Sequence, residues 1–240
     1  MKKLLLSLIL IGGLFPALTA QENFSQAESL YRAGQYAQAL TAYEQDLKRY
    51  PNNPYLYYNI GNCYFKMGSK GLAIANYYRA FKLNPRQADI RHNLELALSS
   101  SGETLVPTGI PPAVHRAFFA FSLTQLKGIV CLLGWLVCLL AGIWLLTRKG
   151  GKFTLTAGII LVACACWFYM LRTWEKQPLA VVAAPIAELR SGPGTNFPAS
   201  ASIAQGHLVQ VLDSKDHWQQ VVVRSQGLKG WVESSTLEHI

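Results

Sequence analysis

Gly128-Ile129-Val130-Cys131-Leu132-Leu133-Gly134-Trp135-Leu136-Val137-Cys138-Leu139-Leu140-Ala141-Gly142-Ile143-Trp144-Leu145-Leu146 contains no acidic or basic side chain, and neither does the stretch from Phe153 to Leu171. Each is nineteen residues long. As an α-helix such a segment spans roughly 28 Å, one bilayer crossing. A soluble domain seldom makes two consecutive helices apolar all round. The pair is therefore predicted to be a transmembrane hairpin, with helices over 128–146 and 153–171. Trp167, Phe168 and Tyr169 stand where an interfacial aromatic belt would sit. The loop between the helices, 147–152, reads Thr147-Arg148-Lys149-Gly150-Gly151-Lys152. Three cations in six residues are retained in the cytoplasm during insertion, which places both flanking portions outside.

The N-terminus agrees with that orientation. Lys2 and Lys3 precede an apolar run from Leu4 to Phe15, then Pro16 and Ala17-Leu18-Thr19-Ala20, the pattern of a secretory signal over 1–20 cut before Gln21. Leu18, in place of a small residue, leaves an uncleaved anchor open. No cysteine follows the cut, which argues against a lipoprotein. Residues 21 onward are exported, and two crossings return the C-terminus to the same side.

Charge and cysteine usage exclude other classes. The net charge of +9 is concentrated in residues 116–177, which hold seven cations and one carboxylate. The flanking soluble parts are near neutral and carry no basic stripe, so nucleic acid is excluded as a partner. Of five cysteines, Cys131, Cys138, Cys164 and Cys166 fall in the apolar segments, and Cys63 is the one exported thiol. No disulfide framework follows. Cys164-x-Cys166 reads as small packing residues of a membrane helix, since neither span offers a His or carboxylate to complete a metal site.

Between Phe24 and Pro85 the chain repeats at an offset of 34: Gly34, Ala39, Tyr43 and Pro51 recur as Gly68, Ala73, Tyr77 and Pro85. That period marks helix-turn-helix units. The second unit is nearly complete, with Tyr57-x2-Ile60-Gly61-x2-Tyr64, then Ala73-x3-Tyr77 and Pro85, and it resembles the tetratricopeptide repeat. Gly61 and Ala73 let two helices approach closely, and the prolines end each second helix. Asn53-Pro54 reads as an N-cap with proline at the first helical position. The first unit has Gln26-Ala27 where a Leu-Gly pair is expected. The repeat domain thus covers 21–98, with units at 24–52 and 54–86 and a capping helix at 87–98. So short an array is marginal alone and is expected to rest on a neighbour. Residues 99–115, with Pro107, Pro111 and Pro112, read as a linker. Residues 116–127 (Phe118, Phe119, Phe121, Leu123, Leu126) read as a short helix lying in the membrane surface.

After the hairpin the pattern changes to short alternating runs, Leu208 to Leu212, Gln220 to Val223 and Gly230 to Val232, separated by turn clusters. A small all-β barrel over 179–240 is predicted. Leu189-Arg190-Ser191-Gly192-Pro193-Gly194-Thr195-Asn196-Phe197-Pro198, followed by Gly206, Val209, Trp218 and Gly230-Trp231-Val232, resembles the bacterial SH3 domain along its length. His217 stands where that pattern has a small residue.

The fold class is therefore a multidomain membrane protein: all-α tetratricopeptide repeats, a two-helix transmembrane hairpin and an all-β SH3-like small barrel. This order of modules, with Arg91-His92-Asn93-Leu94-Glu95 in the capping helix, resembles the E-type Bat proteins of the Bacteroides aerotolerance operon. The resemblance implies a multi-pass accessory protein of the bacterial inner membrane, with both terminal domains periplasmic. It also implies von Willebrand-type membrane partners and a role in envelope integrity and oxidative-stress tolerance.

No catalytic, cofactor or metal constellation is legible. Asp213, Asp216 and His217 share a hairpin turn, where solvated polar residues are expected. Cys63 with His92 as base is outweighed by a buried inert thiol at a helix-pairing position. Gly192-Pro193-Gly194 lacks the Lys and helix of a phosphate loop. Binding is the better destination. The repeat groove is expected to present Phe24, Glu28 and Tyr31 from the first unit. Tyr55, Tyr58, Asn59, Asn62, Phe65 and Lys66 follow from the second, with His92 or Asn93 from the cap. Asparagines can pair both backbone groups of an extended peptide, and aromatics supply contact area. Asn62 and Lys66, four apart on one helical face, stand out. On the SH3-like domain Asn196, Phe197, Trp218 and Trp231 form the expected ligand face, for peptide or peptidoglycan, although both tryptophans better suit a barrel core.

Overall fold

The computed structural model describes residues 25–107, 109–223 and 225–240. The expected signal segment and Phe24 lie outside the described residues. The repeat domain is built from α1 (Ser25–Arg32), α2 (Tyr36–Arg49), α3 (Pro54–Lys66) and α4 (Lys70–Leu83), covered by α5 (Ala88–Ser99). Gly34 and Gly68 occupy equivalent turns at φ of 77° and 81°, a left-handed conformation that costs any other residue energy. Asn53 Oδ1 accepts the Tyr55 N–H at 2.9 Å, with Pro54 in the first turn, as the cap signature requires. At Gly61 an added Cβ would lie 2.6 Å from the Tyr77 ring. The glycine is therefore what lets α3 and α4 close.

Helix α4 is the hub of the molecule. Gly71, Ala73, Ile74, Ala75, Asn76, Tyr77, Tyr78, Ala80 and Phe81 are all buried, so it has no solvent-facing stripe of the kind a surface helix keeps. One side packs on α3 and α5. A second side meets the apolar hairpin and the turn leading into it, where Tyr78 stacks on Trp174 at 6.0 Å and Phe81 contacts Phe119 at 5.4 Å. The third side carries the β-domain. Arg79 bonds Glu238 and donates to the His239 carbonyl, and Lys82 donates to the Ile240 carbonyl. The expectation that the short array leans on a neighbour is met from two directions.

The stretch expected to be a linker packs against the folded domains on both sides of residue 108. Glu103, Leu105 and His115 are buried. Glu103 Oε1 takes His207 Nδ1 at 2.9 Å and the Ser225 hydroxyl, both from the β-domain. The helix expected over 116–127 divides differently: α6 runs Pro112–Phe118, and the chain turns before the next helix starts. The turn is set by Ser122, which forms a capping box with Gln125 and so ends one helix and begins another.

Helices α7 (Leu123–Thr147) and α8 (Gly151–Glu175) form the hairpin. Both have 25 residues, with mean hydropathy 2.7 and 2.0 over their most apolar windows. They are long and apolar enough to cross a membrane. The tight turn between them uses Arg148 at φ 58° and Gly150 at φ 89°. The hairpin leaves Trp135 78% and Leu146 88% exposed, a surface that water would penalise and lipid would not.

The β-domain comprises β1 (Leu179–Val182), β2 (Ile186–Arg190), β3 (Ala199–Ala204), β4 (Leu208–Lys215), β5 (Trp218–Val223), β6 (Leu228–Glu233) and β7 (Leu237–His239). They pair antiparallel in the order β3-β2-β6-β5-β4-β1-β7. The core is small and aliphatic: Ala180, Val182, Ala187, Leu189, Ile203, Val209, Val221, Val223, Val232 and Leu237. Neither tryptophan belongs to it. The β1 strand alternates between two cores, sending Ala180 and Val182 into the β-domain and Val181 into the cluster around α4, as period-two geometry demands.

Candidate functional site

The concave face of the repeats holds a cavity of about 180 Å³ lined by Tyr31, Asn62, Phe65, Lys66, Tyr77, Asn93 and Leu96. Tyr31 comes from α1, the middle three named residues of the second unit from α3, and Asn93 and Leu96 from α5. The β-domain packs on α4, away from these helices, so the groove stays open. Its floor is a polar network. The Tyr77 hydroxyl donates to Asn62 Oδ1 at 2.8 Å, and Asn93 Nδ2 donates to the same oxygen at 3.1 Å and to the Tyr58 hydroxyl at 3.0 Å. Burial pushes the Tyr77 hydroxyl well above its ordinary pKa, so it remains a donor throughout the physiological range.

The expected groove residues separate accordingly. Asn62, Phe65, Lys66 and Asn93 line the cavity, with Tyr58 beneath it. Asn62 and Asn93 are more committed internally than an open peptide ladder implies, because their side chains tie α3, α4 and α5 together. Phe65 and Lys66 are exposed at the rim. Asn59 is half-buried outside the cavity lining. Tyr55, in the first turn of α3, lines a different, shallow depression with Arg49, Tyr50 and Asn52. Glu28 pairs with Arg32 on its own helix, and His92 faces solvent. Leu96 was not expected at the site; its signal was an apolar residue one turn beyond Asn93.

On the β-domain, Trp218 lies opposite Glu233, and Gln220 opposite Trp231. Directly opposed residues share a face, so Trp218, Gln220 and Trp231 stand together on the outer face while Val221, Val223 and Val232 fill the core. Both tryptophans are half-buried. Arg190 pairs with Trp231 across β2 and β6. Its Nη1 donates to the Thr195 and Phe197 carbonyls at 3.1 and 2.7 Å, which anchors the loop bearing Asn196 and Phe197. Phe197 is 43% exposed, and its ring covers Gly192, where a Cβ would lie 2.6 Å away. Sequence reading missed Arg190 as the residue that organises this loop.

Cys63 is fully buried beside Tyr43, Leu56 and Ile60, and burial pushes its thiol up to about 11. It is held as a thiol at neutral pH and is not an activated nucleophile. Among the described residues, no group of three or more His, Cys, Asp or Glu converges in a way that could hold a metal ion.

An open helical-repeat groove and a small β-domain with an aromatic outer face define a class of multi-module binding protein. Residues 24–88 match the tetratricopeptide repeat family, and residues 187–238 match the bacterial SH3 domain family. The chain thus carries both modules, and protein–protein interaction is the activity they share. No curated protein matches the chain.

Proposed function

We propose that the chain is a membrane-anchored interaction scaffold of a Bat-type envelope complex linked to aerotolerance, with the repeat groove and the SH3 module both on the periplasmic side of the inner membrane. One observation carries this reading: α4 is used up by the hairpin and the β-domain, and the opposite face of the same repeats is left as an open groove. A soluble array would have no reason to spend its central helix on two apolar helices. The groove would take an extended segment of a membrane partner, such as a von Willebrand-type protein, with Phe65 and Leu96 supplying apolar contact and Lys66 a charge. The loop Arg148–Gly150 would face the cytoplasm, and the segment around α6 would lie at the outer surface. The test is photocrosslinking in membranes from a probe at Lys66, followed by identification of what is trapped. A discrete membrane-protein partner is expected; trapping no more than a probe on α2 would refute it.

A second reading, recognition of peptidoglycan, is favoured by the outward, half-buried Trp218 and Trp231, since aromatic rings on a sheet surface offer stacking area for sugars or stem peptides. The solubilised full chain should sediment with purified sacculi, and Trp218→Ala with Trp231→Ala should lose at least about tenfold in retention. Equal sedimentation of the two proteins would end this reading.

A further inference from the structure

Between α5, residues 99–106 and α6 lies a cavity of about 560 Å³ lined by Arg91, Glu95, Glu103, Arg116 and a lip of Leu105 and Pro112. It is separate from the peptide groove. Its level relative to the hairpin follows from one bond: Trp167 Nε1 on α8 donates to the Phe118 carbonyl at the end of α6, at 3.0 Å. Trp167 lies eight residues before the end of α8 at Glu175, about 12 Å along the axis. The last turn of α6 is therefore level with the upper part of the apolar helix, where tryptophans meet the headgroup boundary. With the hairpin in a bilayer, Arg116, two residues earlier, would stand near the depth of lipid phosphates. Ile110 and Val114, close by in the chain, are 42% and 57% exposed.

The cavity pairs both signs of charge. Arg91 is already oriented, with its guanidinium over the Phe81 ring at 5.0 Å and Nη2 bonded to the Pro85 carbonyl at 3.2 Å. Arg116 is near enough to oppose Arg91's charge, and Glu95 near enough to support it. Arg91 Nη1 also lies 3.5 Å from His115 Nδ1; two guanidinium groups lining one cavity call for an anion, and phosphate is what their remaining donors match. Glu103 is held by His207 and Ser225, which leaves the exposed Glu95 carboxylate to repel a second negative group and to accept an ammonium.

We propose that this cavity binds the headgroup of a zwitterionic phospholipid, phosphatidylethanolamine, with phosphate on Arg91 and Arg116 and the primary amine toward Glu95. The acyl chains would pass Ile110 and Val114 into the bilayer beside α7. The inference rests on the membrane reading above, and the two fail differently. If the chain leaves membranes on alkaline carbonate extraction, the anchoring is wrong and the lipid site goes with it. If the chain stays in membranes, the lipid site is tested alone. The full chain in detergent would be offered equimolar phosphatidylethanolamine, phosphatidylglycerol and phosphatidylcholine, and retained lipid read by native mass spectrometry. Phosphatidylethanolamine should be retained about tenfold over phosphatidylcholine, whose methylated amine donates no hydrogen bond. Arg116→Gln, at an exposed site that leaves helicity intact, should abolish that retention, and Glu95→Gln should erase the preference between the two. Equal retention of all three lipids by the native chain overturns the proposal, as does undiminished phosphatidylethanolamine on Arg116→Gln.

Discussion

Replacing Gly71 by alanine should lower the melting temperature of the folded chain, although alanine is the better helix former. In a free repeat domain the change would remove a glycine from the first turn of α4 and stabilise it by up to about 1 kcal/mol. Docked against the β-domain, the new Cβ would lie 2.2 Å from the Val182 carbonyl oxygen and 2.9 Å from Ala183 Cα. These are backbone atoms of β1 and its exit. The oxygen is held in place by the Gly206 N–H at 2.9 Å, so it cannot swing aside. Overpacking of this kind costs about 1–3 kcal/mol and outweighs the gain in propensity. The sign of the effect therefore reports whether the two modules are one body. A thermal melt of the solubilised protein in which Gly71→Ala lies above the native chain would show that they are not.

The second large effect is a split between two kinds of groove substitution. Asn62→Ala removes the acceptor of the Tyr77 hydroxyl and of Asn93, leaving a buried donor unpaired at a cost of about 1–3 kcal/mol. Lost capture of a partner by that variant would confound folding with binding. Phe65→Ala with Lys66→Glu changes only exposed side chains, so it should leave the melt within about 0.5 kcal/mol of native while abolishing the crosslink from the groove. A destabilised Phe65/Lys66 variant, or one that still captures the partner, would contradict the assignment of rim and floor.

Local features were legible in the sequence wherever one residue type answers one local need. Gly34 and Gly68 sit in left-handed turns, Asn53-Pro54 caps α3, and the apolar runs around Arg148-Lys149 form the hairpin. The docking was not legible, because Gly71 and Val182 meet across 111 positions of chain, and a glycine in a repeat helix has no mark that says what approaches it. The same holds for Glu103, which looked like part of a Pro-rich linker until His207 and Ser225 closed on it. The sequence favoured the barrel core for Trp218 and Trp231, and the structure corrects this: the register of β5 and β6 sets both on the outer face, and the small aliphatic set around Val221 fills the core. At the groove the helical spacing found Asn62 and Lys66. It also admitted Tyr55 and Asn59, which lie one to two turns earlier on α3 and outside the cavity that Asn62, Phe65 and Lys66 line.

Binding in the groove, at the outer tryptophans and in the headgroup cavity all presuppose that the repeat and β-domains share the exported side of one membrane. Cysteine accessibility decides that most directly. In a chain whose five native cysteines are replaced, Phe197→Cys and Lys149→Cys would be labelled in turn with a membrane-impermeant maleimide in intact spheroplasts. The account predicts labelling at position 197 before lysis and at position 149 only after it. Labelling at 149 in intact cells, with 197 protected until lysis, would contradict it.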